Sequence, residues 1–131
     1  MQASNFCKWG SLSQATTAGS TSLTVEVDMA NFEGCEFLGV AGSTSAIAHT
    51  MTIKTGASTT DSFVALSGAT KATTSGNDFA IVDVYKPRER WLQAVFSSTA
   101  ASEKFVICRQ YGARKLQSAT TYDTAVVSPN T

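Results

Sequence analysis

The densest charge in this chain lies between two apolar runs, in the stretch FAIVDVYKPRERWLQAVF at residues 79–96. Lys86, Arg88, Glu89 and Arg90 fall within five positions, although only 15% of the 131 residues are charged. Charge held this close together suits a chemical site, a nucleic-acid surface or a protein-docking edge. The distribution of the other charges and reactive side chains decides between these three uses.

Nucleic acid is the first use to weigh, because basic residues interleaved with Tyr85, Trp91 and Tyr111 resemble a single-strand binding surface. Against this use, the formal net charge is zero and the pI is about 6.5. Residues 1–85 carry seven acidic and three basic groups, whereas residues 86–115 carry two acidic and seven basic groups. A chain whose acidic and basic parts balance is better suited to protein surfaces, including its own copies, than to nucleic acid or a membrane.

Few residues in the sequence could support catalysis or metal binding. His49 is the only histidine, and in AIAHTMTI the alternation places it on one strand face with Met51 and Ile53. This predicts a packed side chain rather than a general base. Cys7, Cys35 and Cys108 show no metal-ligand spacing. We therefore predict no catalytic residue, no metal and no cofactor, with buried thiols that stay reduced.

Two carboxylates, Glu26 and Asp28, are the remaining chemical candidates. On a strand their spacing puts both on one face, where they could bind calcium or act as acid and base. A solvated sheet face explains the pair equally well. A small hydrolase using these carboxylates or His49 is a lower-ranked alternative, because no base and nucleophile are paired in the sequence.

The sequence predicts that β-strands carry these residues. Alternation of apolar and polar residues recurs along the chain, and turn residues separate the runs. This predicts an all-β protein, a two-sheet antiparallel β-sandwich of jelly-roll or Greek-key type with seven or eight strands. Both ends are long, polar and rich in Ser and Thr, so we predict an N-terminal arm over 1–22, a sandwich domain over 23–115 and a C-terminal arm over 116–131.

A resemblance adds to this reading over residues 82–116, VDVYKPRERWLQAVFS…KFVICRQYGARKL. In this stretch a strand ending in D-x-Y-x-P leads through a basic segment into an aromatic-rich strand, and a later strand ends in Y-x-x-R. The matching residues are Asp83, Tyr85, Pro87, Arg90, Trp91, Tyr111 and Arg114. The pattern resembles the jelly-roll cement or decoration proteins that coat the capsids of tailed bacteriophages.

The resemblance implies a structural, non-enzymatic virion protein on the outer surface of the capsid, assembled in the host bacterial cytoplasm. Its implied partners are the major capsid protein and copies of itself, as a dimer or trimer. The basic turn then becomes a docking edge, with Pro87 ending the strand before it. The residues predicted to form this edge are Lys86, Arg88, Arg90, Trp91 and Arg114.

Two further binding roles are compatible with the same sequence. A carbohydrate- or receptor-binding jelly-roll module would present Tyr85, Trp91 and Tyr111 together on one sheet face. Another minor virion protein, of the head-completion or tail class, would share the fold but be present in far fewer copies.

Overall fold

The computed structural model describes residues 8–15, 21–42, 47–60, 62–73 and 79–113. For residues 8–15 it describes the backbone only. The regular structure in these ranges consists of eight β-strands. The strands are β1 (Lys8–Ala15), β2 (Ser22–Asp28), β3 (Gly34–Gly42), β4 (His49–Gly56), β5 (Val64–Thr73), β6 (Phe79–Tyr85), β7 (Trp91–Ser98) and β8 (Glu103–Tyr111). These described ranges contain no helix long and apolar enough to cross a membrane.

The strands form two four-stranded sheets that pack face to face. The first sheet has the order β1-β8-β3-β6, and the second sheet has the order β2-β7-β4-β5. Every neighbouring pair is antiparallel. This interleaved order is that of a jelly roll, in which two Greek keys share one sandwich. The predicted all-β sandwich is confirmed.

Alternation along six of the strands, β2, β3, β4, β6, β7 and β8, directs every second side chain into the space between the sheets. In β6, for example, Ala80, Val82 and Val84 are buried, while the residues between them are exposed. The core is completed by large side chains with no exposure from both sheets, among them Phe37, Met51, Ile53, Leu92 and Phe96. Burying one such side chain stabilises the fold by about 1.5–3 kcal/mol.

The cysteines of the core behave as small apolar residues. Cys35 and Cys108 are buried free thiols on the adjacent strands β3 and β8. The hydrogen bond between the two thiols, together with burial, raises the pKa of Cys35. Because the thiolate is the reactive form, burial and the raised pKa both disfavour reaction at Cys35. Cys7 lies outside the described residues.

Two segments differ from the sequence-based boundaries. Residues 8–15, placed in the predicted N-terminal arm, form β1 and pair with β8 at the edge of the first sheet. The stretch DSFVALSG ends in a glycine, which predicts a turn at Gly68. β5 instead continues to Thr73, because the strand bulges at Gly68 and then resumes its pairing with β4. Gly68 has a φ of 80° in this bulge, a conformation that glycine adopts without strain. The rest of the predicted arms, at 1–7, 16–20 and 116–131, lies outside the described residues.

Candidate docking surfaces

The basic turn after β6 is fastened to a second loop at the same end of the sandwich. The Lys86 N–H donates to the Glu33 carbonyl at 2.7 Å, and the Met29 N–H donates to the Arg90 carbonyl at 2.8 Å. Lys86 has a φ of 50°, so the chain bends sharply as it leaves β6. We call residues 29–33 and 86–90 together the basic rim. Its backbone bonds hold the rim in one shape without a partner.

Arg90 joins the turn to β2 while its side chain stays 60% exposed. Its Nε and one terminal nitrogen donate to the two carboxylate oxygens of Asp28, both at 2.8 Å. This bidentate geometry is the strong form of an arginine–carboxylate contact. The hydrogen bond to Asp28 also raises the pKa of Arg90. Arg90 therefore helps to position the turn, and its contact with a partner stays a prediction.

A concave cleft of about 410 Å³ lies between the two loops of the basic rim. Its lining combines apolar side chains with charged ones, and comprises Met29, Ala30, Asn31, Phe32, Lys86, Pro87, Arg88, Glu89 and Arg90. Lys86 and Arg88 are both exposed, and the Lys86 ammonium lies 5.3 Å from the centre of the Tyr85 ring. The cleft can therefore accept a side chain or loop that carries a carboxylate.

The other two predicted docking residues are Trp91 and Arg114. Trp91 begins β7 in the second sheet, where it lies opposite Asp28 and is half-buried. Tyr85 and Tyr111 lie in the first sheet. The three aromatic residues proposed as a carbohydrate platform are thus divided between the two sheets. Arg114 lies outside the described residues.

The first sheet also presents an ordered outer face that the sequence did not reveal. The registers of β6, β3 and β8 align outward-facing side chains into four rows across the three strands. Two rows are apolar: Phe79, Val40 and Phe105, followed by Ile81, Leu38 and Ile107. The third row is Asp83, Glu36 and Arg109, and the fourth is Tyr85, Gly34 and Tyr111. We call these four rows the outer face.

The polar rows are internally bonded. Arg109 donates to Glu36 at 3.2 Å, and the Tyr111 hydroxyl donates to Asp83 at 2.6 Å. Burial and this hydrogen bond raise the pKa of Tyr111. The apolar rows are more open at the edge strand, where Phe79 is 58% and Ile81 is 49% exposed. Together with Tyr85, they are three of the four large hydrophobic side chains that the described residues expose.

Gly34 is the position on which the tyrosine row depends. A Cβ added there would lie 2.2 Å from a ring carbon of Tyr111, so the ring must leave its present position if residue 34 has a side chain. We expect Gly34→Ala to displace Tyr111, to weaken its bond to Asp83 and to lower the free energy of unfolding by about 1–3 kcal/mol. Urea unfolding followed by tryptophan fluorescence measures this change.

Gly42→Ala is the matched control, since none of the described residues places an atom within 4 Å of the added Cβ at that position. Its stability should stay within about 0.5 kcal/mol of wild type. Equal stabilities for the two variants would contradict the packing role assigned to Gly34.

His49 is packed in the core as predicted, with Met51 and Ile53 on the same face. Its Nε2 lies 2.8 Å from the Ser102 hydroxyl, and its ring centroid lies 5.5 Å from that of Phe96. The Lys104 ammonium donates to the Ser98 hydroxyl at 3.0 Å nearby. Burial lowers the pKa of both His49 and Lys104. His49 and Ser102 are 0% and 2% exposed, so a substrate has no path to this pair in the described structure.

The paired carboxylates of β2 have protein partners. Glu26 accepts a hydrogen bond from Gln93 at 3.1 Å, and Asp28 is held by Arg90. Both side chains face outward from the second sheet, as a solvated strand face predicts. Across the residues that the structure describes, no three His, Cys, Asp or Glu side chains come together as metal ligands.

No protein-family profile matches the chain, and no curated protein matches it in sequence. Among solved structures, the chain is similar to the Clostridium thermocellum N-terminal endo-1,4-β-D-xylanase 10B, whose CBM22-1 and GH10 modules were crystallised with xylohexaose. The identity is 12% and the TM-score is 0.41. The match covers 89% of this chain and spans 28% of the xylanase chain.

Proposed function

We propose that the protein is a capsid decoration protein, a structural virion protein that binds the outer surface of a bacteriophage shell and stabilises it. The observation that carries this proposal is the basic rim, a rigid charged cleft at one end of a jelly-roll sandwich. The resemblance of residues 82–116 to phage cement proteins supports the same assignment. In this proposal the partners are the major capsid protein and further copies of the chain, with no nucleic acid and no membrane.

The rim suits docking because its shape exists before the partner arrives. Backbone bonds and the Arg90–Asp28 pair hold its two loops together. A preorganised surface loses little conformational entropy on binding, which leaves more of the contact energy for affinity. Lys86 and Arg88 extend from this frame as exposed cations. Arginine pairs bidentately with a carboxylate, so acidic side chains on the shell are the partners that this rim fits.

Repetition over a shell strengthens a weak contact of this kind. A cleft of about 410 Å³ accepts only a small part of a partner. Many copies bound to neighbouring positions, and to one another, gain effective concentration for each further contact. The proposed protein therefore needs no single tight interface and no catalytic step to hold capsid subunits together.

Electron microscopy of purified virions, with and without this protein, tests the proposal. We expect density on the outer surface of the shell, repeated with the shell's symmetry, that disappears when the gene for this chain is deleted. Density confined to one ring at a vertex or in the tail would instead identify a head-completion or tail protein. Absence of the protein from purified virions would refute every virion role.

A carbohydrate-binding module is the second candidate, favoured by the exposed aromatic surface of the outer face. Tyr85 is 59% exposed and shares a row with Tyr111, so a sugar ring could stack there. Trp91 would not take part, since it lies on the other sheet. Binding of the isolated protein to a glycan array, weakened by Tyr85→Ala and unaffected by Trp91→Ala, would support this function.

A further inference from the structure

We infer that β6 is the surface through which two copies of this chain associate, by antiparallel pairing of β6 with β6 of a second copy. In the first sheet β6 is the end strand, and within the described residues its ladder partner is β3 alone. The inference names the surface for the self-association included in the proposed function. It concerns the isolated protein, so it stands or falls separately from any binding to a shell.

The backbone of β6 offers regular donors and acceptors along its outer side. The Lys86 N–H donates to the Glu33 carbonyl on the β3 side, one position beyond the last ladder pair, Gly34 with Tyr85. Because successive residues of a strand point their N–H and C=O groups to opposite sides, Ile81, Asp83 and Tyr85 direct theirs away from β3. A second antiparallel strand can therefore continue the ladder at these three residues.

The other sheet edges carry features that discourage such pairing. β1 has an irregular register between Trp9 and Leu12, and β5 has a bulge and an exposed Lys71. β2 presents two acidic side chains along its length. Bulges and charges are the usual protections of an exposed edge. β6 has neither a bulge nor a proline, and its one charged side chain is Asp83.

Two-fold pairing centred on Val82 aligns β6 with its copy over the full length of the strand. In this register Ile81 lies opposite Asp83 of the second copy, and Phe79 lies opposite Tyr85. Aromatic pairs across antiparallel strands are favourable, whereas like charges directly opposite each other are unfavourable. The register that centres on Asp83 would oppose two carboxylates, so the pairing centred on Val82 is favoured. It also overlaps all seven residues of the strand.

The area available makes this association weak in dilute solution. Phe79, Ile81 and Tyr85 are each about half exposed in one copy. Covering these side chains in two copies falls short of the roughly 1,200–2,000 Å² that stable interfaces bury. Pairing then becomes appreciable at high protein concentration or when copies are held close together on a surface.

Sedimentation velocity of the purified full chain, from about 10 µM to about 1 mM, tests the inference in the range of weak interfaces. We expect wild type to shift from monomer toward dimer, and Ile81→Lys to remain monomeric at every concentration. Val64→Lys is the matched control, because Val64 is 65% exposed on the other edge strand β5. It should dimerise like wild type. Circular dichroism and urea unfolding establish that both variants are folded.

Hydrogen exchange followed by mass spectrometry identifies the strand involved. In the concentrated wild-type sample, peptides covering 79–85 should exchange more slowly than in the dilute sample, whereas peptides covering β5 should not change. The inference is overturned if wild type stays monomeric, if it forms trimers, or if Ile81→Lys dimerises as wild type does. A dimer without added protection at 79–85 would overturn it as well.

Discussion

The Lys86→Glu/Arg88→Glu double variant is expected to fold like wild type and to fail to decorate phage particles that lack this protein. Both side chains are exposed on the basic rim and face a cleft that can receive a carboxylate. One exposed ion pair contributes little by itself. Reversing two charges, however, turns attraction into repulsion at every repeated contact, and the loss accumulates over the shell. Co-sedimentation with depleted particles measures the effect.

Arg90 is left unchanged in this test for a structural reason. Its guanidinium pairs with Asp28, so Arg90→Glu would place two carboxylates together and disturb the rim itself. The double variant alters the charge of the rim and leaves its frame intact.

Lys71→Glu is the matched control, because Lys71 is an exposed cation on β5. It should decorate as well as wild type. The defect of the double variant should also be larger at low salt, where exposed charges are screened less. Full decoration by the double variant, or equal loss in Lys71→Glu, would show that the basic rim is not the docking edge.

Acidification from pH 6.5 to pH 5 is expected to destabilise the protein through its single histidine. Burial lowers the pKa of His49, and the positive charge of Lys104 lowers it further. Below the ordinary histidine pKa of about 6.5, the unfolded chain binds a proton that the folded protein binds less readily. Stability contributed by neutral His49 is therefore fully present above that pH and decreases as the pH falls. The slope can reach about 1.4 kcal/mol per pH unit.

Urea unfolding at several pH values between 7 and 5 measures this slope, with His49→Gln as the comparison. The variant should lose stability more gradually with acid than wild type, whatever its stability at pH 7. The chain has one histidine, so carboxylates are the other side chains that titrate near pH 5 to 7. The carboxylates are the same in both proteins, so a difference between the two pH profiles comes from His49. Parallel pH profiles for the two proteins would refute the role assigned to His49.

Local pattern in the sequence was sufficient to predict most of the strands. Alternation in HTMTIKTG and FAIVDVY predicts strands whose bounds agree with β4 and β6. The reason is that a strand in a two-sheet sandwich directs every second side chain into the core, so apolar residues recur at every second position of the sequence. The alternation also predicted correctly that His49 faces inward. The basic turn was evident for a similar reason, since Pro87 and its charged neighbours are adjacent in the chain.

Pairing between distant segments decided the remaining features. The Arg90–Asp28 pair joins residues 62 positions apart, and nothing local in the sequence distinguishes Arg90 from Arg88. β1 is polar and resembles an arm, yet it joins the first sheet because β8 offers a complementary edge. The outer face exists only through the registers of β3, β6 and β8, which align side chains contributed by three separate parts of the chain. Sequence thus determined which side of the alternating strands is buried, as in β4 and β6. The tertiary structure decided which exposed side chains meet, because strand order and register depend on contacts between segments far apart in the chain.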